Sequence, residues 1–139
     1  MKFYKYLIAA FFLIMSSQAF GQVAVIANKS VADNALTVNK VDDIYSLRAK
    51  TWSDGKAIVP ITLKNESDVT NKFFSTIGKS FLDAKKAWMR AQLTGEGQAP
   101  EGLASDDEVV SKVASTPGAI GFVSSAKVNG NVKVLLTIN

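Results

Sequence analysis

"AIVPITLKNESDVTNKFFSTIGKS", residues 57–80, changes its periodicity halfway along. Ala57 to Lys64 is a short apolar run of strand type, introduced by the turn signal Asp54-Gly55. From Val69 onward the apolar residues fall at Val69, Phe73, Phe74 and Ile77, the spacing of one helix face, and Gly78 stands where such a helix stops. Ser67 sits at the junction as an N-cap. A strand feeding directly into a capped helix is the building unit of an α/β domain. Pro60 has no N–H to give to a ladder, which places this strand at an edge or beside a bulge.

The pattern extends in both directions. "VAVIANK", residues 23–29, suits a buried strand, and Val38, Val41, Ile44 and Tyr45 follow the cap residue Thr37 at helical spacing, with the helix ending near Arg48. This first strand-helix-strand unit is expected to be a right-handed parallel crossover. Ser80 with Asp83 and Ser105 with Glu108 have capping-box spacing. They open two more helices, one with Ala84, Ala87, Trp88 and Ala91 facing inward, the other with Val109, Val110 and Val113. Between them "TGEGQAPEG", residues 94–102, reads as a loop, and without a Gly-Lys-Ser/Thr ending it is not a phosphate loop. Pro117-Gly118 closes the last helix and "GAIGFV", residues 118–123, begins a strand. Asn129-Gly130 is a hairpin turn signal before "NVKVLLTI", residues 131–138, where Val132, Val134, Leu136 and Ile138 alternate onto one face. The order of elements indicates one α/β domain, either three-layered or with its helices mainly on one side of the sheet.

Residues 1–21 have the form of a cleaved secretory signal: Lys2 and Lys5, the apolar run Leu7 to Met15, then Ala19 and Gly21. Cleavage after Gly21 leaves a domain of residues 22–139, expected in the periplasm. The chain carries a formal charge of +4. Removing the two signal lysines leaves about +2, scattered rather than gathered into the basic stripe that nucleic acid requires. With no cysteine and no histidine, thiolate or imidazole metal sites, a Cys nucleophile and a Ser-His-Asp relay are excluded. The pairs Asp42-Asp43 and Asp106-Asp107 are adjacent on helices and point apart, so neither makes an acid/base dyad. No enzyme, metal or cofactor is expected. Trp52 and Trp88 read as packing residues.

Four stretches together resemble the phosphate-binding proteins of ABC transporters: "LTVNKVDDIYSLRAKTWSDGKAIVPI" (36–61), "FFSTIGKS" (73–80), "AWMRAQLTGEGQAP" (87–100) and "ASDDEVVSKVASTPGAIGFV" (104–123). Arg48 or Ala49 stands where that family commonly has Gly. The resemblance implies a single lobe of a type 2 periplasmic-binding-protein-like fold, a mixed sheet flanked by helices. Full-length members close two lobes on the anion, and no counterpart of the first lobe's anion loop is present.

Carried onto this chain, the resemblance puts Lys64 at the position of an Arg and Ser67 at that of a serine, with Thr70 near a threonine. The implied ligand-binding set is Lys64, Asn65, Ser67, Asp68, Val69 and Thr70, for phosphate or a related oxyanion in uptake or sensing. A helix N-terminus suits an anion through its unpaired N–H groups and its dipole. Glu66 and Asp68 put negative charge beside the same place, and Ser67 serves equally as a plain N-cap. Both readings stand on the sequence. A second surface, from a homodimer or an envelope membrane-protein partner, would have to complete the half-site. The alternative is a ligand-free interaction module that partners an envelope transporter, porin or sensor.

Overall fold

The computed structural model describes residues 21–139, so all of the expected signal segment except Gly21 lies outside the described residues. Five strands form one mixed sheet in the order β3-β2-β4-β1-β5, with β1 at Val23–Asn28, β2 at Val59–Leu63, β3 at Glu101–Leu103, β4 at Ala119–Ser124 and β5 at Val132–Ile138. Among the described residues four helices flank it: α1 (Val38–Tyr45), α2 (Asp68–Thr76), α3 (Phe81–Thr94) and α4 (Asp106–Ser115). All four start on an expected side-chain cap, from Thr37, Ser67, Ser80 and Ser105.

The two faces of β4 sort the helices. Gly121 meets α4, and a Cβ built there would lie 2.8 Å from Val109 Cγ1 and 3.1 Å from Val113 Cγ2. The next residue, Phe122, faces the other way and stacks on Phe73 of α2, with ring centroids 3.9 Å apart. The sheet therefore lies between α4 on one face and α1, α2 and α3 on the other, giving three layers. The helix α3 is outermost, laying Phe81 and Trp88 against Phe74 of α2. Its Ala84 is buried, but Ala87 is exposed and Phe81 takes the inward place expected of it.

Strand pairing departs from the sequence expectation at several points. β1 and β2 do not form a parallel crossover: β4 lies between them, parallel to β2 and antiparallel to β1. The physical reason is that β1, buried at all six positions, needs a partner on each side, and finds them in β4 and β5, both antiparallel. For the same reason Asn129-Gly130 does not turn a hairpin, because β5 pairs with β1 and not with β4. The loop at 94–102 ends in the short strand β3, which adds to β2 in parallel. In β5 the simple alternation is broken by a register shift opposite Val25 and Ile26, which buries Leu135 and leaves Val134 exposed.

Pro60 is accommodated without a bulge. The N–H of Val59 points to β4, bonding Gly118 O at 3.0 Å. The nitrogen of Pro60 therefore faces the opposite side, where β3 has not yet begun, since its pairing starts at Ile61. Gly118, at φ +79°, is held by the same crowding: a Cβ there would fall 2.5 Å from Ala57 O. Its carbonyl also accepts the Trp52 indole N–H at 2.9 Å, so Trp52 is buried packing, as is Trp88.

Tyr45 ties α1, α2 and α3 to the sheet. Its ring lies edge-on to Phe73 and Phe122, at 4.9 and 5.9 Å between centroids. Its hydroxyl donates to Ile61 O at 2.8 Å, just past the last paired residues of β2 and β4. Its carbonyl accepts the Trp88 indole N–H at 2.7 Å, which brings in α3. Burial pushes the phenol above its usual ionisation range, so it remains a donor. Tyr45→Phe is expected to lower unfolding stability by about 1–3 kcal/mol through the unpaired Ile61 carbonyl, measured by urea denaturation with an unchanged m-value.

Candidate functional site

Because β2, β3 and β4 run parallel, their C-terminal ends share one edge of the domain. β1 starts and β5 ends at the same edge: Val23 pairs with both Ser124 and Ile138. Helices α2 and α4 begin there, following β2 and β3. The edge thus presents two helix N-termini, and their chemistry differs.

At α4 the first turn carries Asp106, Asp107 and Glu108. Asp106 Oδ2 accepts the Ser124 N–H at 3.0 Å and Glu108 Oε2 accepts the Ala104 N–H at 3.0 Å. This terminus is already supplied with negative charge. The two aspartates do diverge, since Asp107 lies instead 3.9 Å from Lys127.

The start of α2 gathers Lys64, Asn65, Ser67, Asp68, Val69 and Thr70 into one strand-to-helix junction. Ser67 Oγ accepts the Thr70 N–H at 3.2 Å. Thr70, fully buried, donates its hydroxyl to Asn65 O at 3.0 Å. The 3.0 Å contact between Ser67 Oγ and Thr70 Oγ1 must then use the Ser67 hydrogen. Both hydroxyl protons are committed inside the junction. The N–H groups of Asp68 and Val69 have no hydrogen-bond partner among the described residues, as first-turn groups require an outside acceptor. Lys64 anchors β2 to β3 through its N–H to Leu103 O at 2.9 Å, and its side chain is exposed and joins no ion pair among the described residues. Val69 is half-buried, and the side chains of Glu66 and Asp68 are at the surface.

A groove of about 320 Å³ opens beside this junction, lined by Gln22, Val23, Asp68, Val69, Lys72 and Ser124 among others. Lys72 bonds the carbonyl of Gly21 across it. The larger depression, about 580 Å³, contains none of the candidate residues and lies over α4 beside Lys29, Lys127 and Asn129. Lys72 is a lining residue absent from the expected set, although it stands four residues after Asp68 and so shares its helix face. Gln22 and Ser124 reach the groove only through strand pairing and left no local signal.

A family model described as a PBP superfamily domain matches residues 13–135. The chain belongs to the PBP superfamily. Solved structures similar to this PBP domain include an ABC-type phosphate transport receptor from Vibrio cholerae, with a TM-score of 0.66, 20% identity, and coverage of 84% of this chain and 46% of that one. A substrate-binding protein assigned to phosphate ABC transport from Clostridium perfringens, solved with phosphate bound, gives 0.64 and 19%, covering 81% of this chain and 43% of that one. PstS from Borrelia burgdorferi gives 0.57 and 16%, with 84% and 47% covered. What is shared at such identity is the fold, and the chain spans less than half the length of these proteins. No curated protein matches the chain.

The other acidic pair of the PBP domain is structural. Asp42 and Asp43 converge on one guanidinium, with Arg48 Nη2 3.1 Å from Asp42 and 2.9 Å from Asp43. Lys79 lies 2.7 Å from Asp42 and ties α1 to the segment that follows α2. Burial disfavours the Asp42 charge, but the bonds from Lys79 and Ser46 and the charges of Lys79 and Arg48 outweigh it and hold the carboxyl below its usual value.

Ser67→Ala is expected to cost about 1 kcal/mol of stability and Ser67→Gly only a few tenths, read from denaturant midpoints, as an N-cap demands. For Asp42 the depressed folded-state pKa means a contribution present above the unfolded value and lost as pH falls through the folded one. The stability difference between the wild type and Asp42→Asn is therefore expected to be widest at neutral pH and to close as the pH drops below 3.8, followed by thermal melts across that range.

Proposed function

We propose that this is a secreted, non-enzymatic binding domain that takes up phosphate or a related oxyanion at the start of α2, in phosphate uptake or sensing. The observation that carries the reading is the pair of N–H groups at Asp68 and Val69, which have no partner among the described residues and stand at the C-terminal edge of the sheet, four and five residues after Lys64. In open α/β sheets that edge is where ligands bind, and phosphate suits a helix N-terminus. Solved proteins of the same fold, one holding phosphate, support the choice of anion.

Within this reading the two N–H groups grip one anion oxygen and Lys64 supplies a point charge rather than the bidentate fork of an Arg. Ser67 joins by turning its hydroxyl from Thr70 to the ligand, and Asn65 and Thr70 hold the loop. Residues 1–21 act as a signal that is cleaved, placing the domain in the periplasm. A single edge leaves much of the anion in water, so tight binding calls for a second surface, from another copy or an envelope membrane protein.

The test is calorimetric titration of protein recovered from the periplasm, its mass placing the first residue at Gln22, with phosphate, sulfate and polyphosphate. Binding near millimolar is expected, about −4 kcal/mol. Lys64→Gln should weaken it and the double change Glu66→Gln with Asp68→Asn should strengthen it. If neither the wild type nor the acid-neutralised variant releases heat with any of the three anions at millimolar concentration, the receptor reading falls.

A further inference from the structure

Five large apolar side chains are markedly exposed among the described residues, and three of them, Leu82 (57%), Met89 (65%) and Leu93 (82%), belong to α3. At about 100° per residue these three fall within an arc of about 40° and extend about 16 Å along the helix axis. The opposite side of the helix is the one that Phe81, Ala84 and Trp88 bury. Lys85 borders the stripe on one flank and Lys86 and Arg90 on the other, all exposed. None of these three cations pairs with an acid among the described residues, although Lys85 Nζ also rests 4.4 Å from the centre of the Phe81 ring. The helix's one acid, Asp83, lies beyond Arg90 on the wheel, outside the stripe.

We infer that α3 is a surface-docking helix whose occupant is the interface of an anionic phospholipid membrane. An apolar stripe bordered by cations, on a helix lying flat against its own domain, is the arrangement by which interfacial helices rest in the headgroup layer. Two features favour lipid over protein. The face is convex, with side chains standing out from a helix, so a protein would have to supply a matching groove whereas a headgroup layer yields. A second copy of this chain would bring Lys85, Lys86 and Arg90 against their own equivalents and repel. Negatively charged headgroups neutralise all three, each cation contributing at short range and losing its effect in high salt. The helix is amphipathic on its outer face and is too short and too polar to cross a bilayer, so the contact is peripheral.

The chain has no cysteine, so a single introduced thiol gives a local readout that the apolar run at Leu7 to Met15 does not confuse. Leu93→Cys, labelled with an environment-sensitive fluorophore, is mixed with vesicles of phosphatidylglycerol and phosphatidylethanolamine, and separately with vesicles of phosphatidylcholine. Asn129→Cys, exposed beside α4 on the far face of the sheet, is the control. The expected result is a blue shift at position 93 on the anionic vesicles, absent at 129 and on phosphatidylcholine. It should be lost when Lys86→Glu with Arg90→Glu, or Leu82→Gln with Met89→Gln, is added, with the circular dichroism of each variant unchanged. All these positions are exposed, so folding is expected to survive. An unresponsive label at 93, an equal response at 129, or a response indifferent to both double variants overturns the inference. So does a dimer in sedimentation that Met89→Gln dissociates, which would make a second copy the occupant.

Discussion

The Tyr45 side chain is the constraint on which the rest of the packing turns. A phenol buried among Phe73, Phe74 and Phe122 must place its one proton, and it places it on the Ile61 carbonyl where the ladder between β2 and β4 ends. The hydroxyl therefore fixes how far α1 can slide over the sheet. With α1 set, Phe73 is set against Phe122, and with Trp88 bonded to the Tyr45 carbonyl the outer helix is set as well. An aromatic cluster of this kind lets a chain without a disulfide hold α1, α2 and α3 on one face of the sheet, because edge-on rings add directional contacts to area burial.

The position of the candidate site follows from that packing. Fixing β2 beside β4 fixes where β2 ends, and so where the N–H groups of Asp68 and Val69 point. Two helix N-termini share the edge, but the first turn of α4 carries three acids, two of whose carboxylates accept the N–H groups of Ala104 and Ser124. At α2 the hydroxyls of Ser67 and Thr70 are spent on each other and on Asn65, which makes the turn rigid while leaving two donors outward. The capping bond is the observed use of Ser67, and the proposed anion contact needs only a turn of its hydroxyl, so the two readings of Ser67 are not rival structures.

Local features were legible in the sequence and long-range ones were not. All four caps were readable, because a Ser or Thr ahead of a helical stripe meets its partner within three residues. The candidate residues came from the family resemblance, and they share one junction because they lie between positions 64 and 70. Strand partners were not: nothing within 23–63 indicates that Ala119–Ser124 will insert between β1 and β2. β3 escaped notice because three residues including a glycine, after a proline, carry almost no strand signal. In β5 the alternation of Val132, Val134, Leu136 and Ile138 was present in the sequence, but a bulge changes which residues face inward and depends on the partner strand. Among the described residues the one non-glycine residue with a left-handed backbone is Leu47, at φ +62°, next to the Arg48 and Ala49 that stand where the resembling family commonly has Gly. Its cost, about 1–2 kcal/mol for a side chain in that region, is offset by its packing against the core.

The bulge in β5 has a bearing on how the protein behaves at high concentration. An open sheet offers unpaired backbone along each outer strand, and such edges recruit other chains into fibrils. Here one outer strand, β3, is only three residues long. On the other, Leu135 kinks the strand and its carbonyl is taken by the Leu36 N–H at 2.9 Å, while the Lys133 side chain folds back onto the carbonyl of Val31. A loop of the chain's own thus occupies the place where a neighbour's strand would add. Neither outer strand therefore offers a long free edge to a neighbouring chain.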